Sequence, residues 1–271
     1  VSYSVAAFPT LVQYFNQENF EEFMHHVMIP IRQIIFWSMP IIAFFIVLRA
    51  QIVRVILGTG NFDWSDTRLT AATLALFIIS VVAQSIVLLL IRAYYAAGKT
   101  WKPLWLTLGS SALSIAFAYL FIYLYASIPE IQWFFETILR IEGVKGSSVT
   151  MLALAYSAGM FINLSLLWTS FKKDFNYTAR FNISRTTFQS VVASVLIGIV
   201  AYVSLQLFDP YFMHDRVLDV LAHGLVSAVV AALVGGIYLF AIRNQEVVLL
   251  VHSIKNKLSG VSVTKEADLG L

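Results

Sequence analysis

Apolar runs of about twenty residues follow one another along almost the whole chain, separated by short polar clusters. About 20 apolar residues in a helix span the hydrocarbon core of a bilayer, so the pattern predicts membrane-crossing helices. Full spans are expected over residues 27–48, 67–97, 103–125, 149–171, 187–208 and 217–242, six in all. Residues 1–12, closed by Phe8-Pro9-Thr10-Leu11, read as the end of a seventh span that begins upstream, and the chain is taken to be a fragment. The fold class that follows is an all-α integral membrane protein, a polytopic helical bundle.

The stretches between the spans carry their own signals. Residues 13–26 are polar, with Glu18, Glu21, Glu22 and the pair His25-His26, and read as a solvated loop without metal-ligand spacing. Residues 49–57 form a short amphipathic piece, followed by a Gly-rich turn at 58–63 and an expected helix cap at Ser65 with Asp66. Pro103 opens a span where a proline costs a helix least. Residues 127–148 are too polar to cross, yet Ile131, Phe134, Phe135 and Ile138 recur at helical spacing, which predicts a helix over 129–141 lying on the membrane surface. Residues 244–258 read as an amphipathic end helix and the rest as a tail.

Composition sharpens the class. Apolar residues make up 59% of the chain and charged residues 12%, against roughly 45–50% and 25% in soluble domains. The chain has no cysteine, which excludes disulfides and thiolate metal sites, and a net charge of +3 gives no nucleic-acid signal. Lys and Arg favour cytoplasmic loops. Arg92, Lys99, Lys102, Lys172, Lys173, Arg180, Arg185, Arg243, Lys255, Lys257 and Lys265 fall in one set of alternate loops. The smaller group Arg49, Arg54, Arg68, Arg140, Lys145 and Arg216 falls in the other, so the carboxyl end is expected to be cytoplasmic. Trp101, Trp105, Trp133, Tyr123 and Tyr125 suit interfacial belts, and Tyr94 and Tyr95 are read as marking the interface beside Arg92.

Within the spans, Arg32 beside Gln33 is the costliest polar feature. It is either a cavity-facing charge for an anionic head group or an end residue snorkelling to the interface. Arg92 carries the same two readings. Gln84, Ser85, Ser114 and Asn163 sit mid-span, where polar side chains bond neighbouring helices or meet a substrate. Gly235-Gly236 reads as a close helix approach. No paired carboxylates, nucleophile elbow or Walker loop occurs, so neither an enzyme nor a cofactor is expected.

The run Arg92-Ala93-Tyr94-Tyr95-Ala96-Ala97-Gly98-Lys99-Thr100-Trp101-Lys102-Pro103 resembles a signature of the MurJ (MviN) family, lipid II flippases of the MOP flippase superfamily. Residues 5–11, Arg32 through Pro40, and Leu57 through Thr67 are similar to three further family segments in the same order. Lys99 and Lys102 stand where relatives have Asp and Thr, and Ser114 and Ala118 where they often have Asn and Asn or Asp.

The resemblance implies the carboxyl-terminal part of a transporter that moves undecaprenyl-linked peptidoglycan precursor across the bacterial cytoplasmic membrane by alternating access. Its partners would be that precursor, membrane lipids and an amino-terminal lobe. On this reading residues 1–172 form the second-lobe bundle, 173–242 two additional spans, and 243–271 a cytoplasmic helix and tail. Arg32, Gln33, Gln84 and Asn163 are the candidate substrate pathway, and Arg92, Lys99 and Lys102 a basic cytoplasmic side. Another MOP-type exporter of polyprenyl-linked oligosaccharide and a non-transporting scaffold of cell-wall synthesis remain alternatives.

Overall fold

The computed structural model describes residues 2–58, 62–175, 183–212 and 217–241. The described residues form nine α-helices: α1 (Ser2–Asn16), α2 (Phe20–Val47), α3 (Arg49–Leu57), α4 (Trp64–Ala96), α5 (Trp101–Ser127), α6 (Pro129–Leu139), α7 (Thr150–Asp174), α8 (Ile183–Phe208) and α9 (Val217–Ala241). Six of them, α2, α4, α5, α7, α8 and α9, are long and apolar enough to cross a membrane, and α1 is the partial seventh. The expected polytopic bundle is therefore the fold. The end helix expected over 244–258 lies outside the described residues.

Helix α4 organises the bundle. It packs against α2 on one side and α7 on the other, α5 lies outside α7, and α8 and α9 continue outward from α2. Between lipid-embedded helices water supplies no apolar driving force, so close packing and interhelical hydrogen bonds must hold them. Small residues accordingly line the contacts: Ala83 and Ala93 on α4, Ala153 on α7 and Ala193, Ala201 and Ala231 on α8 and α9 are all fully buried. At Gly159 a Cβ would fall 2.8 Å from the Ser114 Cβ and 3.3 Å from its Cα, so α5 and α7 meet there only through a glycine. Of the Gly235-Gly236 pair, Gly235 alone makes a close approach, to Ile197 of α8, while Gly236 faces open space.

Several ends differ from the sequence pattern. Helix α2 starts at Phe20 with Asn19 as its cap, so His25 and His26 are helical rather than in a loop. An accepted amide bond and two first-turn glutamates outweigh the local polarity, since both favour a helix start. The cap of α4 is Asp63, not Ser65: its carboxylate accepts from the Asp66 amide at 2.8 Å, and the Asp66 carboxylate accepts from the Asp63 amide at 3.2 Å. That amide bond to Oδ1, foremost, pulls the Asp63 carboxyl below its ordinary value.

Helix α6 covers 129–139 and is closed by Arg140 in the left-handed conformation. Its buried or half-buried side is Ile131, Phe135, Glu136 and Leu139, while Trp133, Phe134 and Ile138 are exposed. Arg49 Nη2 donates to the Leu139 carbonyl at 3.2 Å and Arg68 Nε to the Arg140 carbonyl at 2.7 Å. Two cations thus sit at the carboxyl end of α6, where the orphan carbonyls and the helix dipole favour them.

Candidate functional site

The predicted basic residues meet unequal fates. Lys102, in the first turn of α5, reaches Asp174 at the end of α7, with its Nζ 2.6 Å from both carboxylate oxygens. The Asp174 Oδ2 also accepts from the hydroxyl of Tyr94 at 3.0 Å, and that hydroxyl lies 3.0 Å from the Ser170 Oγ. The Lys99 ammonium lies 5.0 Å above the Phe175 ring, within reach of a cation–π attraction. Arg92 is half-buried on α4 and joins none of these bonds. The arrangement ties the ends of α4, α5 and α7 into one charged knot.

Tyr94 is the main correction at this end. It is fully buried, its ring edge-on to Phe171 and Phe175 at 5.8 and 5.6 Å, while Tyr95 beside it is exposed. Neighbouring helical residues point about 100° apart, so only one of the pair can face outward. Tyr125 is likewise buried and donates to Glu136 Oε1 at 2.9 Å, whereas Trp101, Trp105, Trp133 and Tyr123 are exposed as a belt requires. Sequence reasoning missed Asp174, Ser170 and Tyr156 altogether. A signal for Tyr94 did exist: Ala72, Leu76, Ala83, Val87, Leu90 and Tyr94 form one buried stripe at helical spacing.

Mid-span, Gln84 is exposed on α4 and donates from Nε2 to the Tyr156 hydroxyl of α7 at 3.2 Å. Asn163, further along α7, is buried, and its Oδ1 has no hydrogen-bond partner among the described residues. A buried, unbonded carbonyl is costly and calls for a partner. Arg32 and Gln33 are both half-buried on α2, two turns deeper from the helix start than the apolar run alone indicated. No described hydrogen bond joins Gln84 to Asn163.

On the first two turns of α2, Glu22, His25 and His26 hold ligand atoms within 4.8 Å of one another, close enough to share a cation. Glu22 is exposed, and His26 Nδ1 lies 3.0 Å from the Glu22 carbonyl oxygen. Sequence reading overlooked this spacing because it took the pair for a loop.

Residues 1–222 match the family model described as lipid II flippase MurJ, from α1 through α8 and into the first turns of α9. The chain belongs to the lipid II flippase MurJ family. MurJ-type proteins are transporters rather than enzymes, and the bundle here is a polytopic membrane transporter fold of the MOP type. No curated protein gives a significant match to the chain. The match places the knot between α4, α5 and α7 and the polar residues Arg32, Gln33, Gln84 and Asn163 inside the part of the chain that MurJ proteins share.

Proposed function

We propose that the chain acts as the carboxyl-terminal lobe of a lipid II flippase, moving undecaprenyl-linked peptidoglycan precursor outward across the bacterial cytoplasmic membrane. The observation that carries this reading is the family match over residues 1–222. On this reading residues 1–172 are the second-lobe bundle, 173–242 two additional spans and 243–271 a cytoplasmic end, so the carboxyl terminus faces the cytoplasm. Membrane lipids and an amino-terminal lobe are the partners.

The substrate pathway would run past Arg32 and Gln33 on α2, Gln84 on α4 and Asn163 on α7. Arg32 suits a diphosphate because a guanidinium offers several donors in a fixed fork. Asn163 offers a carbonyl oxygen in want of a donor, such as a sugar hydroxyl or peptide amide. Arg92, Lys99 and Lys102 form the cytoplasmic basic side, where Lys102 and Asp174 tie α5 to α7. Alternating access would then require the two lobes to rock while this knot keeps α4, α5 and α7 together.

The test follows precursor exposure on the outer face of cells depleted of their own flippase and supplied with the chain in its full-length parent. Exposure should be restored, and Arg32→Ala should impair it more than Arg92→Ala at equal membrane abundance. Loss of one charged hydrogen bond would weaken binding by about 1.5–3 kcal/mol. Normal abundance without precursor exposure rejects the flippase reading, and full activity of Arg32→Ala rejects only that residue's role.

A further inference from the structure

At the end of α4 opposite to Tyr94 the bundle is hollow. A cavity of about 760 Å³ lies between the end of α2, α3, the start of α4, the end of α6, the far end of α8 and the first turns of α9, from which His223 lines it. Its size falls in the range of small-molecule sites, roughly 300–1,000 Å³. Among the described residues three arginines from three different elements line it, Arg49 of α3, Arg68 of α4 and Arg140 after α6, against one lining carboxylate, Asp209.

The structural reading of these arginines is that they fasten α6. It accounts for one bond each from Arg49 and Arg68, to the carbonyls of Leu139 and Arg140. A guanidinium has five N–H donors, so most of their capacity is left over. It does not account for Arg140, whose exposed side chain makes no described hydrogen bond. Among the described residues no ion pair joins any of the three to a carboxylate. Burial and the nearby Arg140 charge together lower the Arg49 pKa, as expected of crowded like charges.

A second hollow adjoins the first. An apolar groove of about 260 Å³ runs between α3 and α9 past Ile52, Val55, Leu221, Leu225 and Ala228, and Gln51 lines both spaces. The Gln51 Oε1 is buried without a hydrogen-bond partner among the described residues. A charged chamber beside an apolar channel has the shape of an amphiphile, with the charge at one end.

We propose that the arginine cavity is a phosphate site, taking the phosphate or diphosphate of a ligand whose apolar chain lies in the α3–α9 groove. One bidentate guanidinium satisfies a carboxylate, whereas a phosphate has oxygens enough for all three arginines and more charge to offset their repulsion. The site does not depend on what the bundle transports. A lipid headgroup and a free phosphate share this chemistry, and the groove favours the lipid.

The test uses the full chain in phosphatidylcholine nanodiscs titrated calorimetrically with inorganic pyrophosphate, and in phosphatidylglycerol nanodiscs with retained lipid counted by native mass spectrometry. Arg140→Asn is the decisive variant, because Asn tolerates the left-handed backbone and no described bond depends on the arginine side chain. It should leave the thermal midpoint unchanged and weaken pyrophosphate binding about tenfold or more, the loss of one charged hydrogen bond. Ala228→Phe, which fills the groove, should reduce retained phosphatidylglycerol and leave pyrophosphate binding alone. Lipid retention that falls in Arg140→Asn without measurable pyrophosphate binding supports the site and assigns it to lipid. Pyrophosphate binding with lipid retention indifferent to Ala228→Phe overturns the groove. No binding of either probe, or equal binding by parent and Arg140→Asn, overturns the site.

Discussion

The two ends of α4 each gather cations, and they hold them in opposite ways. At the Tyr94 end, Lys102 meets a carboxylate, Lys99 covers an aromatic ring and the helices close around a buried tyrosine. At the Arg68 end, two guanidiniums bond only backbone carbonyls, a third bonds nothing described, and the helices part around a cavity. Charge of one sign therefore does not by itself make a binding surface. The closed end holds Lys102 and Lys99 against partners within the fold, while the open end presents its guanidiniums to a cavity, where a mobile anion could reach them.

If this contrast is right, substitutions at the closed end should cost stability and those at the open end should not. The largest effect is expected from Tyr94→Ala, which removes a fully buried aromatic packed on Phe171 and Phe175 and should destabilise by about 3–5 kcal/mol. Thermal unfolding in detergent checks it, with Arg140→Asn as the open-end counterpart expected to melt like the parent. Gly159→Leu comes next. Its side chain meets the Ser114 backbone and should cost about 1–3 kcal/mol or more by overpacking, read in the same melt.

The Lys102–Asp174 pair is smaller still. Lys102 is 45% exposed and Asp174 18%, so water screens the attraction. A double-mutant cycle of Lys102→Gln and Asp174→Asn should give a coupling of up to about 1 kcal/mol.

The smallest effect concerns pH. The bond from Gln132, foremost, with those from Tyr125 and Ser147, holds the Glu136 carboxyl below its ordinary value. A depressed carboxylate stabilises the fold above its unfolded pKa and loses that contribution as pH falls through the folded one. Acidification from neutral through the ordinary Glu range, about 4.3, and below should therefore lower the parent's melting temperature slightly more than that of Glu136→Gln. Parallel pH profiles would remove Glu136 from the account of how α6 is held.

How much of this the sequence showed depends on the distance over which each feature is decided. The spans were legible because a bilayer demands long apolar runs. Helix α3 was legible from nine residues of its own pattern, 49–57. The α4 cap was misplaced by two residues because Asp63, Ser65 and Asp66 are all good caps and only backbone geometry selects among them. The burial of Tyr94 was legible in the apolar stripe of α4, but its partner was not, since Asp174 lies 80 residues on. Arg49, Arg68 and Arg140 looked like scattered loop charge for the same reason: Arg49 reaches a carbonyl 90 residues away and Arg68 one 72 residues away. Of the candidate site residues, the sequence supplied the cations and the mid-span polar groups. It did not supply the acidic and hydroxyl partners that decide which of the cations are satisfied.

The contrast between the ends can be read in one labelling experiment, for which the absence of native cysteine makes the chain well suited. Single cysteines at Gln206, exposed and lining the arginine cavity, and at Ser170, half-buried within the Tyr94 knot, would be exposed to a water-soluble thiol reagent from both sides of the reconstituted membrane. Gln206→Cys should label quickly and be slowed by pyrophosphate, while the half-buried Ser170→Cys labels more slowly and at a rate that pyrophosphate does not change. Equal labelling of the two positions, or labelling at Gln206→Cys that pyrophosphate does not touch, would contradict the picture of one end whose cations are held by partners in the fold and one open end whose cations face a cavity.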